Sequence, residues 1–304
     1  MSENKVYILG SGAAKPSLTR YPSSQIVEMR DRRFLVDCGE GCQIRMRQMK
    51  LHTAHLNHIF ISHLHGDHCF GLMGLISTLG MEGRTADLYI HAHHNLSELM
   101  QPWLDFYCPD WPFKVHFEDV RPNAVQVVFE DKAVKVTAFP LNHRIPTSGY
   151  LFEEKPGERH LLREVCDAYQ VPVAAFNNIK NGDDFVTADG TIIPNERLTS
   201  PPTPITRYAY CTDTKYSESF LPIIAGVDML YHDSTYDDAH AEHAQKYFHS
   251  TARQAATIAK LAGVKKLLLG HFSNRVASDG MSLAEAKEVF PETYVAEDMK
   301  KYDI

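Results

Sequence analysis

What this chain of 304 residues lacks narrows its class before any motif is read. Its six cysteines (Cys38, Cys42, Cys69, Cys108, Cys166 and Cys211) are scattered with no CxxC pair. That spacing excludes a small disulfide-stapled scaffold and suits reduced thiols in a cytoplasmic protein. No apolar run approaches the roughly 20 residues of a membrane span, and the opening MSENKVYILGSG has no basic, apolar and small-residue succession like a signal peptide. A soluble protein with no membrane partner is expected. Excess basic charge is missing too: 31 Lys and Arg stand against 38 Asp and Glu, a net −7. This argues against bulk electrostatic capture of nucleic acid and leaves any RNA contact to local basic patches. There is no internal repeat and no low-complexity tract.

Period and punctuation place strands at Val6–Leu9, Gln25–Met29, Phe34–Asp37, Leu56–Ser62, Leu88–His91, Val134–Phe139, Ser148–Glu153, Arg207–Cys211, Met229–Tyr231 and Lys266–Leu269. Helices are expected at Phe70–Met81, His94–Tyr107, Tyr216–Ala225, Thr251–Leu261 and Ser282–Val289. From about Glu154 to Pro204 the pattern changes to a polar stretch ending in the proline-rich SPPTP, which reads as an insertion between two sheet strands.

The densest chemistry lies in HLHGDH, where His63, His65, Asp67 and His68 follow the apolar run HIFIS. On extended backbone His63 and His65 reach the same side, and Gly66 gives the bend its freedom so that Asp67 and His68 turn toward a second position. Three more apolar runs end in potential ligands: VKVTAFPLN in His143, RYAYCT in Asp213 and KKLLLG in His271. Rigid strands fix such groups, and the loops after them can bring distant segments to one sheet edge. The partition that follows gives His63, His65 and His143 to one metal ion and Asp67, His68 and His271 to another, with Asp213 between them. Imidazole and carboxylate suit two zinc ions per subunit at about 2.0 to 2.2 Å, and manganese would also accept them. Asp67 is placed to take a proton from an attacking water as well as to coordinate.

These residues resemble the metallo-β-lactamase superfamily, whose H-x-H-x-D-H signature is matched in full, and within it the ribonuclease Z family of tRNA 3′-processing endonucleases. The resemblance extends over the opening G-S-G-A-A-K-P loop, the D-C-G-E-G turn at Asp37–Gly41, C-T-D-T around Asp213, H-S-T at His249–Thr251 and L-G-H-F at Leu269–Phe272. It implies an α/β fold, an αββα sandwich spanning 1–304 as one domain, with 154–204 an inserted arm that grips tRNA. It also implies precursor tRNA as partner, a homodimer in which one subunit's arm holds RNA cut by the other, and His249 as the acid that protonates the departing ribose oxygen. His232-Asp233-Ser234-Thr235 stands where the family has H-E-A-T, which makes Asp233 a candidate to orient a catalytic histidine. The arm departs from the family's Gly-Pro turn, reading Val173-Ala174-Ala175 after Pro172, with Lys155, Arg159, Arg163 and Lys180 available to phosphates. Arg30, Arg32, Arg33, Arg45, Arg47 and Lys50 form a second basic group that would track an acceptor stem.

Two other readings stand beside this one. The same pair of ions would serve a small-molecule phosphodiesterase or another hydrolase, for which a long arm has no use. A binding module with structural metal would favour closed, cysteine-rich sites instead. The histidines His52, His55 and His58, and His91, His93 and His94, are read as surface or packing residues.

Overall fold

The computed structural model describes residues 4–274 and 279–304. The chain up to Glu153 and from Thr206 onward forms one compact unit, and Glu154–Ile205 forms another. Among the described residues the first unit contains two seven-stranded sheets. In spatial order, one runs Lys301–Asp303, Lys5–Gly10, Ser24–Met29, Arg32–Cys38, Leu56–Phe60, Leu88–Ala92 and Val115–Asp119. The other runs Thr293–Val295, Lys266–Gly270, Met229–Asp233, Arg207–Cys211, Ser148–Glu154, Val134–Pro140 and Gln126–Glu130.

Strand sequences explain the layering. A strand covered on both faces reads as a continuous apolar run, because successive side chains point to opposite sides. Phe34 and Val36 face the partner sheet, where they meet Val136, Phe152, Tyr208 and Leu268. Leu35, between them, faces outward onto Met46, Leu72, Leu75, Leu96 and Met100 of the helices Cys42–Gln48, Gly71–Met81 and Asn95–Tyr107. On the other sheet Leu267 and Leu269 face outward onto Ile224, Ala255, Ala256, Ile258 and Ala286 of a second helical layer. The result is the expected αββα sandwich.

The differences from the sequence reading have physical causes. The strands Val115–Asp119, Gln126–Glu130, Thr293–Val295 and Lys301–Asp303 were not foreseen; all are short sheet margins, Gln126–Glu130 in a hairpin with Val134–Pro140 and the others paired with partners farther off in the chain, as in Lys5 opposite Asp303. The helix expected over Tyr216–Ala225 is confined to Leu221–Ile224, because Pro222 is tolerated only in a first turn. The strand expected through Ser62 ends at Phe60, and the Ser62 amide turns to the Asp37 carboxylate instead. The helix expected from Phe70 begins at Gly71, after a separate short turn at Gly66–Cys69.

Glu154–Ile205 has its own core of Cys166, Val171, Ile179, Ile193 and Leu198, lined by Leu161, Tyr169, Phe176 and Phe185. It carries five basic side chains against eight acidic ones. Arg163 pairs with Asp167, Lys180 with Glu158, and the Arg159 guanidinium donates to the Thr199 hydroxyl.

The suspect histidines of the first sheet are packing residues. His58 Nδ1 and His91 Nε2 are 3.1 Å apart, and His91 stacks on Phe60 with ring centres 4.4 Å apart. Burial pushes His58 down to about 4 and His91 down to about 3. Between those values and the unfolded pKa near 6.5 the unfolded chain binds more protons, so their contribution to stability is full above about pH 6.5 and declines as pH falls. Urea unfolding of the His58→Phe/His91→Phe double variant should depend less steeply on pH between 6.5 and 4 than that of the wild type. Equal slopes would show that these rings titrate freely when folded.

Candidate metal centre

Every strand that leads into the site does so at its carboxyl end. Arg207–Cys211, Met229–Asp233 and Lys266–Gly270 are mutually parallel, so Asp213, Asp233 and His271 emerge on one side. His63 follows Leu56–Phe60, which runs parallel to Arg32–Cys38 and Asp37. Asp37, Asp213 and His271 are held at φ of 53°, 46° and 60°, the left-handed region that side-chain-bearing residues occupy sparingly. At each point the chain is bent to aim a side chain into the cleft.

The seven side chains singled out in the sequence gather there in two adjoining sets. One comprises His63, His65, His143 and Asp213; the other comprises Asp67, His68 and His271. Asp213 divides its oxygens between them. Oδ2 lies 3.5 Å from His63 Nε2 and 3.7 Å from His143 Nε2, while Oδ1 lies 3.2 Å from His68 Nε2 and 3.1 Å from His271 Nε2. Within the sets, His65 Nδ1 is 2.9 Å from His63 Nε2 and 3.3 Å from His143 Nε2, and Asp67 Oδ2 is 3.5 Å from both His68 Nε2 and His271 Nε2. Four ligands about 2.05 Å from a tetrahedral ion are about 3.3 Å from one another, so this donor set fits a metal ion in each half.

The far nitrogens of the rings say the same. His63 Nδ1 faces the Ser62 hydroxyl, which itself donates to Asp37; His68 Nδ1–H donates to Asp37 Oδ2 at 2.7 Å; His143 Nδ1–H donates to the Phe248 carbonyl at 2.9 Å. His271 Nδ1 faces the Thr235 hydroxyl, which donates to Asp233. Protons fixed on the outward nitrogens leave lone pairs converging on the centre, the tautomers that metal ligation requires. Burial above all pushes His63, His65 and His143 down and keeps them neutral. Burial alone would raise Asp213, but His271, His68 and His63 reverse this and hold it well below the usual carboxylate range.

Asp37 is the residue that the sequence reading quoted but gave no role. Fully buried, it accepts from the Ser62 amide and hydroxyl, from His68 and from the Tyr210 hydroxyl. Asp37→Asn keeps the volume but turns an NH2 toward these donors. Metal affinity should fall about 10- to 100-fold, measured by competition with a chelator, with partial recovery of activity in excess metal. Unchanged affinity would mean that Asp37 serves folding alone.

His249 stands beside the cluster. Its ring lies 5.1 Å from that of His143 and 5.2 Å from that of His271. Distance alone would group it with Asp213 and His271, yet its Nδ1 is engaged 2.8 Å from Asp233 Oδ2. Asp233 is fixed in turn by the Thr214 and Thr235 amides. Burial by itself lowers His249, but the charge and hydrogen bond of Asp233 outweigh it and push the imidazole up to about 9. Thr251, two residues on, caps the helix Ala252–Ala262 in a box with Gln254.

The cluster opens into a cleft of about 990 Å³ lined by Lys15, Phe70, Arg144, Tyr236 and Tyr247 among others. Of the six early basic residues, four lie in ion pairs: Arg32 with Asp131, Arg33 with Glu28, Arg45 with Asp298 and Arg47 with Glu82.

Paired His and Asp donor sets at the carboxyl ends of two facing sheets define a metal-dependent hydrolase of the metallo-β-lactamase fold. A solved protein described by that fold name, YhfI of Bacillus subtilis, superposes with a TM-score of 0.69 at 19% identity, over 99% of each chain. Human tRNase Z, short form, superposes with a TM-score of 0.72 at 25% identity, again over 99% of each chain. A protein of Phocaeicola vulgatus called Ribonuclease Z is 47% identical over all of this chain and 98% of its own. A family model described as Anti-Pycsar protein Apyc1 matches residues 4–108. The chain belongs to the ribonuclease Z family.

Proposed function

We propose that this chain removes the 3′ trailer from precursor tRNA, hydrolysing one phosphodiester bond to leave a tRNA 3′ hydroxyl and a trailer 5′ phosphate. The observation that carries the reading is the His249–Asp233 couple beside a two-part donor cluster, in a chain 47% identical end to end to a Ribonuclease Z. The site would hold two zinc ions per subunit, or manganese in their place, with His63, His65 and His143 around one, Asp67, His68 and His271 around the other, and Asp213 between them. When bound, such ions supply Lewis acidity toward the phosphate and lower the pKa of water.

The chain's own groups do the rest. Asp67 Oδ2 belongs to the cluster and is steadied by the Ala14 amide at 2.7 Å, while its Oδ1 takes the proton of the attacking water. His249, with Nδ1 committed to Asp233, presents Nε2 to the cleft and delivers a proton to the leaving ribose 3′ oxygen. Lys15 and Arg144, exposed on the cleft wall, meet phosphates on either side of the cut. Glu154–Ile205 acts as the tRNA handle of a cytoplasmic homodimer. Its acidic balance supports a grip through shape and the exposed Val173, Val186 and Ile192 rather than through phosphate charge.

Metal-loaded protein should cut precursor tRNA at the trailer junction and leave a 3′ hydroxyl, read by mapping both product ends. Cleavage of a small phosphodiester alone would assign the centre to a small-molecule hydrolase.

A further inference from the structure

Phe70 is the residue of the cleft whose properties neither folding nor metal ligation explains. Most of its neighbours on the cleft wall are polar, and of the other aromatic rings there Tyr236 is 6% exposed and Tyr247 half-buried, whereas Phe70 is 73% exposed. Single exposed apolar rings are common on protein surfaces, and Phe106 is as open; what sets Phe70 apart is its place on the wall of the cleft that holds the His and Asp cluster. Nor is it a loose side chain. A methyl group placed on Gly66 would stand 2.3 Å from Phe70 Cε2 and 2.5 Å from Cζ, so the ring edge is seated against the glycine of HLHGDH. That contact sets the ring against the glycine that precedes Asp67, on the wall of the cleft that also carries His65, Asp213 and His271.

Building on the precursor-tRNA reading, we propose that Phe70 is the stacking platform for an unpaired base directly flanking the scissile phosphate. Single-stranded RNA is commonly held by bases laid on aromatic faces, with cationic side chains on the intervening phosphates. Lys15 and Arg144 on the same cleft supply those cations. Stacking of this kind tolerates every base, because each has a π face, so Phe70 fixes the position of the strand rather than its sequence.

The test is a cycle between protein and substrate. Phe70→Ala should raise KM for precursor tRNA roughly 10- to 100-fold while metal content and melting temperature stay at wild-type values. Phe70→Trp should restore binding, and Phe70→Leu, apolar but without a π face, should not. Substrates with an abasic nucleotide immediately 5′ or 3′ of the cut then locate the partner: at one of the two positions the penalty of Phe70→Ala should vanish. An unchanged KM, or a penalty that survives both abasic substitutions, overturns the proposal. So does a shift in sedimentation of the Phe70→Ala protein to a smaller species without a base-dependent penalty, which would assign the ring to a second copy of the chain. Wild-type protein that leaves precursor tRNA intact would instead remove the underlying functional reading.

Discussion

Replacing Asp213 by asparagine should cost the protein one metal ion per subunit, and replacing it by alanine should cost most of both. The carboxylate places Oδ2 against His63 and His143 and Oδ1 against His68 and His271, so each half of the cluster depends on a different oxygen. Asparagine keeps one carbonyl oxygen and presents an NH2 to the other pair of imidazoles, whose lone pairs already face inward. Alanine removes both. Elemental analysis of carefully prepared protein should therefore give about two, one and fewer than one ion for wild type, Asp213→Asn and Asp213→Ala. If the site holds two ions as proposed, turnover of precursor tRNA should fall by about 10³-fold or more in both variants, because one of the two donor sets would no longer be complete. An asparagine variant with two ions and full activity would show that the two sets act independently.

His249→Ala should separate chemistry from metal binding. Both ions should remain, because Nδ1 of His249 is bonded to Asp233 and the seven converging side chains are intact. With no acid to protonate the ribose oxygen, kcat should fall about 10²- to 10⁴-fold with little change in KM. A substrate with sulfur in place of the bridging 3′ oxygen has a leaving group that needs no proton, and it should be cut at similar rates by wild type and variant. The pH profile supplies the sign. An imidazole pushed up to about 9 is protonated at neutral pH, so activity should hold through neutrality and decline as pH rises through about 9. Asp233→Asn removes the raising charge, and the alkaline limb should move to lower pH. Linkage gives stability the same direction: the His249–Asp233 contribution is full below about pH 6.5 and is lost as pH rises through the folded value. Identical alkaline limbs in wild type and Asp233→Asn would remove the acid role.

Much of the sandwich was legible because strands buried on both faces must be apolar along their whole length, and runs such as KKLLLG and RYAYC announce themselves. The margins were not, since Thr293–Val295 and Lys301–Asp303 owe their strand geometry to partners elsewhere in the chain. The arm shows a similar limit. Four of its five basic residues looked available to phosphate when read in line, but folding sets Arg163 against Asp167 and Lys180 against Glu158.

The sequence by itself determined which side chains are able to ligate metal: His63, His65, Asp67 and His68 are local to one hexapeptide, and His143, Asp213 and His271 each close an apolar run. Only the tertiary structure decided how they work. It splits the oxygens of Asp213 between two sets, sets Asp37 behind His68 and Tyr210 behind Asp37, and couples His249 to Asp233. Ligand identity is a property of residue type and short-range spacing, whereas orientation and tautomer depend on hydrogen bonds between groups as far apart as Asp37 and Tyr210, 173 positions along the chain.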